Sequence, residues 1–583
     1  MKILLLHPDD SPCRGPWSHE KWDLIVDFGK SSQITQAAWQ EQLHCQVLQL
    51  DSLRRAEADF EQLRKITRAG NAQLLDTTGV DWWVLLSVLL YTPLDEALLI
   101  GRLCEQLDAT AEFYATRTGW PASGVGFLLQ RPVNSFREKG RPTRLRHYGE
   151  MLRRFSFDQL AQIFLDKYDP RYQWRKRFAT RRSDPQKPLV LFPSAYTNVS
   201  RMASGYARMF PEQQFLVVAT RRSGTHFDPA HNVACESLAA YASGSESLAE
   251  LHGMLAKWQA LKQSLEDFPE MNLLSRAGLL AEFPAHLRDG LALRNTWQTV
   301  LAEEDVLAVM CGDDSNPNTR LPVLLARQQG IPTMDFHHGA LDRIFLLKEL
   351  SSDFYLAKGE MERDYLVRFC HLPAQRVVVA GPARPQSTSS ASREHHKDST
   401  IVFFSEPYEI GGWRAEEVYR EILPTLSRIA REFGRRFIVK LHPFESRQQR
   451  SILLGRVLPA EEAALVECVE GPFTPQLVAN AWFAVTVEST TVLDCTLLGV
   501  PCFVCTWLTA SSPHGYTRQY ARFGVGRSLA SAAELNRLPQ LLTEPAPAFS
   551  EDALLKPMDP EWFRRTIAAG SCRDSQGVFP AAD

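Results

Sequence analysis

Short apolar runs, each followed by an amphipathic stretch, recur along this chain, and that alternation is what parallel strands joined by crossover helices require. Strands of a parallel sheet are covered on both faces, so they read as near-continuous Val, Ile and Leu runs. Before residue 385 such runs are KILLLHP from Lys2, LHCQVLQL from Leu43, DWWVLL from Asp81, PLVLFPS from Pro188, QFLVVAT from Gln214, DVLAVMCG from Asp305, DFYLAKG from Asp353 and RVVVAG from Arg376. The segment Pro385–Ser399 is rich in Ser and charge and poor in apolar residues, as a linker is. A second series follows: IVFFSEP from Ile401, RFIVKLHP from Arg436, LVECVEG from Leu465, WFAVTVES from Trp482 and PCFVCTW from Pro501, with a helix expected from Ala415.

At 583 residues the chain exceeds what one core usually supports. The expected fold class is α/β, two doubly wound Rossmann-like domains facing a cleft. Residues 1–385 are expected to form the N-terminal, acceptor-side domain, with helical or basic insertions at about 131–187 and 243–293. Residues 386–399 would be the linker, 400–558 the C-terminal nucleotide-sugar-binding domain, and 559–583 a last helix and tail. Asp559, Pro560 and Gly570 supply the cap, first turn and stop of that helix.

The net charge is −3, so no global field calls for nucleic acid as a partner. The opening MKILLLHPDD is too short for a signal-peptide core and reads as a buried first strand. The most apolar run, Trp82–Tyr91, is expected to end at Pro93, Asp95 and Glu96. A bilayer span needs about 20 residues, so no transmembrane helix is expected. The scattered cysteines read as small buried hydrophobes of a reducing, cytoplasmic compartment. Cys502 and Cys505 have CxxC spacing on an expected strand, where residues three apart point to opposite faces, which argues against a metal or redox pair.

In doubly wound sheets ligands lie beyond the carboxyl ends of the strands, so the residues after each strand carry the functional argument. Two such segments stand out: KLHPFES, Lys440–Ser446, and VESTTVLDCTLLGVP, Val487–Pro501. In the second, Glu488, Ser489, Thr490 and Thr491 lie where a strand hands over to a helix, and hydroxyls with unpaired backbone N–H groups make an anion site there. In the first, His442 is at a strand end with Pro443 fixing the loop, where an imidazole can donate to a phosphate. The plain alternatives are an N-cap and a satisfied loop histidine.

The Lys-x-His-Pro after one strand and the Glu-Ser-Thr-Thr run before Leu-Gly-Val-Pro resemble the HP and Ser/Thr motifs of GT-B glycosyltransferases. Bacterial sialyltransferases, Kdo transferases of capsule synthesis and CDP-glycerol polymerases are the most similar in look, over roughly residues 300–510. The resemblance implies that His442, Ser489, Thr490 and Thr491 bind the donor's phosphate and ribose, with Lys440 and Pro443 beside them and Glu488 a candidate for the ribose. It implies a CMP-linked Kdo or other nonulosonic acid donor best, with UDP-sugar open.

DVLAVMCGDDSNPNTRLPVLLARQQGIPTMDFHHGALD, Asp305–Asp342, looks like the last βαβ unit of a GT-B N-terminal domain. Asp313 and Asp314 follow one strand there, and an acid at a cleft-facing strand end serves as base or nucleophile; capping the next helix is the alternative. Ser315 stands where sialyltransferases have Gly. His337 and His338 end the following strand and are acceptor-side candidates. The opening His7-Pro8-Asp9-Asp10 resembles the box of zinc-dependent sugar deacetylases, but Ser11 replaces its Glu and no His-x-x-His completes a site. Asp9 is therefore kept as a catalytic candidate, and His7 and Asp10 as acceptor-binding ones. Ser194 and Asn198 follow another strand and could line the acceptor side, while Ser405 and Glu406 could approach the donor. With no ligand cluster in the sequence, no metal or other cofactor is expected.

Between Arg131 and Lys187 sixteen Lys/Arg stand against six acids. This stretch is either a solvated helical insertion or a peripheral contact with anionic membrane or a lipid-linked glycan. The sum of these readings is a glycosyltransferase acting on a surface polysaccharide or lipid-linked acceptor. A nucleotide-sugar epimerase or hydrolase, and a non-catalytic glycan-assembly protein, are the alternatives.

Overall fold

The computed structural model describes residues 1–136, 187–241, 248–339, 341, 351–383, 400–471, 473–474, 477–478, 480–508 and 515–570. The linker, and all but the ends of the basic stretch, lie outside them.

Eighteen strands among the described residues form three sheets, parallel throughout. The first holds β1 (Lys2–Leu6), β2 (Leu24–Asp27), β3 (Gln46–Gln49), β4 (Glu112–Ala115) and β5 (Val133–Ser135), in the order β3-β2-β1-β4-β5. The second holds β6 (Leu189–Ser194), β7 (Gln214–Ala219), β8 (Val233–Ser237), β9 (Val306–Cys311), β10 (Thr333–Asp335), β11 (Phe354–Ala357) and β12 (Val377–Val379), in the order β12-β11-β10-β9-β6-β7-β8. The third holds β13 (Thr400–Phe404), β14 (Arg436–Lys440), β15 (Val466–Val469), β16 (Ala481–Thr486), β17 (Cys502–Cys505) and β18 (Arg527–Leu529), in the order β15-β14-β13-β16-β17-β18. The α/β, doubly wound class expected from the sequence is the one found.

The strands before residue 385 are shared between two sheets, where the sequence reading had one domain. Periodicity marks a strand but not its neighbour, and pairing is set by where the crossover helices find apolar cover. One continuous core joins Ile3 and Leu5 of the first sheet to Leu189, Leu191, Leu216 and Val218 of the second.

Much of that cover comes from the segment read as a strand at DWWVLL. Asp81 accepts a hydrogen bond from the Trp83 N–H (3.0 Å) and so starts a helix at Trp82. Helical structure then runs on through Pro93, which sits in the first turn of Tyr91–Gln106, where a missing N–H is harmless. The expected stop does not occur because its acids are satisfied inside the fold. Asp95 takes both arms of Arg54 (2.6 and 2.9 Å) and Glu96 accepts the Trp120 indole N–H. Trp82–Gln106 is thus 25 residues long and holds an 18-residue window with a mean hydropathy of 1.6, enough to cross a membrane by length and composition, and 56% of that window is buried within the fold. Such apolarity all round fits a helix wedged between two sheets.

The first sheet also docks on the third. Arg414, just before helix Ala415–Glu432, donates to the Asp10 carbonyl (2.8 Å), to both oxygens of Asp27 (2.7 and 3.1 Å) and to Ser31 Oγ (2.8 Å). The Lys30 N–H donates to the Gly412 carbonyl (2.8 Å) alongside.

After the third sheet the chain returns to the second. The Lys556 N–H donates to Lys358 O (2.8 Å) and the Gly381 N–H to Lys556 O (2.7 Å), and helix Pro560–Gly570 packs Phe563 on Phe210 with ring centroids 4.3 Å apart. Gly359 makes room for this return, since a Cβ there would lie 2.3 Å from the Ala553 carbonyl oxygen. Backbone cannot rotate aside as a side chain can. Gly359→Ala is therefore expected to cost about 1–3 kcal/mol, read by urea unfolding, whereas Gly253→Ala, in the interior of helix Leu248–Leu265 where a Cβ meets nothing within 4 Å, should gain about 0.5–1 kcal/mol as the contrasting control.

Candidate functional site

Each sheet has a point where the strand order reverses, and that is where an open α/β sheet leaves a crevice for a ligand. In the third sheet it lies between β13 and β16, in the second between β6 and β9, and in the first between β1 and β4.

At the third sheet the two residues after β13 tie its neighbours together. Glu406 Oε1 accepts from the backbone N–H of Glu488 (2.7 Å) and Ser489 (2.9 Å) and from Thr486 Oγ1 (3.1 Å), all at the end of β16. Ser405 Oγ donates to Glu445 Oε1 (2.6 Å) on the β14 side, so Tyr419 must be the donor in its 2.7 Å contact with Ser405 Oγ. Glu445 Oε2 in turn accepts the His442 N–H (2.7 Å), and Arg450 Nε donates to Glu445 Oε1 (2.7 Å). One dipeptide thereby sets the spacing of the imidazole loop and the hydroxyl loop.

The anion nest expected at the Ser489 turn is partly filled by the chain's own Glu406 carboxyl. Burial, with the Glu488 carboxylate second, pushes Glu406 up to about 7. Ser489 Oγ accepts from the Thr491 N–H (3.3 Å) and hydroxyl (3.1 Å), which leaves its own proton to donate. Thr490, half-buried, is the N-cap of helix Thr491–Leu497.

His442 is held in one protonation form. The Phe444 N–H donates to His442 Nδ1 (3.2 Å), so Nδ1 is bare and the ring proton sits on Nε2. Burial, with the Lys440 ammonium adding to it, pushes His442 down to about 4, so the ring is neutral at ordinary pH. Lys440, expected at the donor, is itself buried and donates to the carbonyls of Leu441 (2.7 Å) and Gly471 (2.6 Å). Lys440 and Ser405 are thus positioning residues beneath the surface, and Pro443 sits in the turn above them.

The strand ends of the second sheet present a different set. His338 Nδ1 is 3.1 Å from the Gly312 carbonyl, which can only accept, so here Nδ1 carries a proton, the opposite nitrogen from His442. The His337 ring lies 5.0 Å from that of His338, and Tyr196, which follows β6, lies 6.4 Å from it with the Arg221 guanidinium over its ring at 5.7 Å. Tyr196 and Arg221 were not singled out from sequence; an aromatic two residues past a strand end was the only signal. Lys358, after β11, donates to the Gly339 carbonyl (3.1 Å), while Tyr365 meets Tyr516 of the third unit at 5.2 Å.

Other expected site residues have structural work. Asp313 accepts from Ser315 Oγ (2.5 Å) and offers its carbonyl to Thr319 Oγ1, and Asn316 caps helix Pro317–Gln328. Asp313 and Asp314 are both buried. Ser194 is fully buried against Ser200 Oγ (2.8 Å), whereas Asn198 is exposed on the helix that follows. Asp9 and Asp10 are clamped by Arg117 at 2.9–3.0 Å, which ties up the carboxylate expected to be catalytic. His7 repeats the His442 turn: the Asp9 N–H donates to His7 Nδ1 (3.2 Å), and His7 O accepts from Asp10 as His442 O does from Glu445, both at 2.9 Å.

The three sheets are each doubly wound, in keeping with the α/β class that the sequence resemblance implied. No protein-family model matches the chain, and no curated protein matches it. Among solved structures it is similar to the Methanocaldococcus jannaschii UDP-GlcNAc 2-epimerase in complex with UDP-GlcNAc and UDP, at 13% identity, covering 66% of this chain and 100% of that one, with a TM-score of 0.40. It is also similar to the lipopolysaccharide outer core galactosyltransferase WaaB (11%, 66% and 99%, 0.36) and the wall teichoic acid polymerase TagF (10%, 74% and 93%, 0.34). No residue's role is carried over from likeness at this level.

Proposed function

We propose that the chain is a glycosyltransferase that binds a nucleotide-activated sugar on the carboxyl edge of the third sheet and passes the sugar to a glycan hydroxyl held against the second. The observation that carries this reading is the pair of fixed imidazoles with opposite tautomers on the two edges. His442 Nε2–H donates to the phosphate oxygen that keeps the electron pair when the sugar–oxygen bond breaks. His338 Nε2 takes the proton of the acceptor hydroxyl as its oxygen bonds to the anomeric carbon. Ser489 and Thr490 add donors to the phosphate. A cytidine nucleotide, carrying Kdo or another nonulosonic acid, is the donor favoured by the motif resemblance, and a surface polysaccharide or lipid-linked glycan the acceptor.

Glu406 gives the reading a pH signature. A phosphate beside it favours the protonated carboxyl, which can donate where the carboxylate would repel. Nucleotide affinity is therefore expected to fall as pH rises above about 7, by up to tenfold per unit, and Glu406→Gln should flatten that fall. Stability moves in the same sense. Because the folded value lies above the usual one near 4.5, the native state holds the extra proton between the two, and stability falls as pH rises through that window. The same substitution removes this contribution but leaves that of Glu417, pushed up to about 8 chiefly by burial.

The direct test is a thermal-shift panel of CMP, CDP, UDP and GDP, followed by product analysis with the stabilising nucleotide's sugar donors. Transfer to an added glycan supports the proposal, and release of free or epimerised sugar alone would replace it with the hydrolase or epimerase. No response to any of the four nucleotides would remove the donor site altogether.

A further inference from the structure

Phe444 is the most exposed phenylalanine among the described residues, at 58% against 41% for Phe433 and 38% for Phe549. Its backbone is anchored. Its own N–H donates to His442 Nδ1, and its ring lies 5.1 Å from the imidazole at 59°. The next residue, Glu445, is buried and bonded to His442 N, Ser405 Oγ and Arg450 Nε. Arg450 carries this anchoring further, since its Nη1 and Nη2 donate to Glu409 (2.8 and 2.9 Å) in the loop after β13. The ring is thus exposed on a loop whose backbone is anchored on both sides of it.

An open π-face on an anchored loop beside a phosphate-directed imidazole is a stacking platform. Which flat group it serves follows from the order of the strands. In the donor site proposed above, the reacting sugar extends from the phosphate toward the β13/β16 reversal, where an open α/β sheet leaves its crevice. The group on the other side of the phosphate, toward β14, is then the nucleoside. Adjacent strands are about 4.8 Å apart, so β14 and β16 are separated by about the length of a nucleoside with its phosphate. We infer that Phe444 stacks on the nucleobase of the donor and sets the affinity for nucleotide over free phosphate. Stacking tolerates any base, because every base has a π-face, so the ring supplies affinity and the choice among bases falls to other groups. This inference rests on the donor site proposed above.

The test is isothermal titration of the full chain with CDP, with CMP, UDP and GDP alongside, and with inorganic pyrophosphate as the ligand that has phosphates but no base. Phe444→Ala is expected to weaken nucleotide binding roughly tenfold to a hundredfold, to leave pyrophosphate binding unchanged, and to be rescued by Phe444→Trp. The unfolding curve of the alanine variant is measured first and is expected to match the wild type, as the exposed position requires. Equal nucleotide affinity in wild type and Phe444→Ala overturns the inference while leaving the donor site standing. So does an equal loss for nucleotide and pyrophosphate, which would mean that the ring only props His442. Failure of the wild type to bind any of the four nucleotides overturns both.

Discussion

His442→Ala is expected to lower the transfer rate by about 10²–10³-fold, the usual effect of deleting one fixed donor aimed at developing negative charge. The size follows from how the donor is prepared. The Phe444 N–H occupies Nδ1, the ring is neutral far below pH 7, and Glu445 holds the backbone N–H of the same residue. No reorganisation is left for the moment of bond breaking. His442→Asn separates chemistry from architecture, because an Asn oxygen can accept the N–H two residues on and preserve the turn, while its amide falls short of the position of Nε2. The asparagine variant should therefore keep wild-type stability and lose nearly as much rate as the alanine. If both variants retain more than a tenth of the wild-type rate, His442 is a loop residue and the donor site lies elsewhere.

Arg414→Ala should remove about 3–5 kcal/mol of stability, the cost of leaving a buried charge without its partner. Asp27 is wholly buried, and in the variant it would keep only the Gly29 N–H (2.9 Å) and Ser31 hydroxyl (3.1 Å). The guanidinium also closes the carbonyls of His7 and Asp10 and lies over the Trp39 ring at 5.1 Å, so packing is lost with the charge. Unfolding in urea is expected to split into two steps, with the five-stranded sheet loosening first, since Arg414 is its main charged anchor on the third unit. Arg414→Lys should rescue little, because a single ammonium cannot span both Asp27 oxygens and Ser31. Adding Asp27→Asn to Arg414→Ala should recover part of the loss by removing the stranded charge. A loss under 1 kcal/mol in Arg414→Ala would show that the sheets are held together by the shared apolar core alone.

The His442 turn and the Ser489 turn were legible before any coordinates because both depend on neighbours in the chain. Proline after histidine, and hydroxyls before a Leu-rich helix, are local instructions. The role of Glu406 was not legible in this way. SEP after a strand places a carboxyl at the edge, but only the pairing of β13 with β16 brings it to the N–H groups of Glu488 and Ser489, 82 and 83 residues away. The misreading of DWWVLL has the same origin. A short apolar run with Asp before it satisfies both a buried strand and a capped helix, and the decision fell to Arg54 and Trp120, which pair with the acids that should have ended it.

By itself, then, the sequence determined the alternation of strand and helix, the last helix from Asp559 and the two local turns that carry His442 and Ser489, because hydrophobic period, caps and turn residues act within a few positions of themselves. The tertiary structure alone decided that the first 385 residues build two sheets, that Arg414 locks the first to the third, that Asp9, Lys440 and Ser405 are held by neighbouring groups, and that His338 and His442 carry their protons on opposite nitrogens. Those outcomes depend on which groups meet across sheet edges. The free energy of such meetings comes from desolvation and hydrogen bonding between residues far apart in the chain, about which local pattern carries no information.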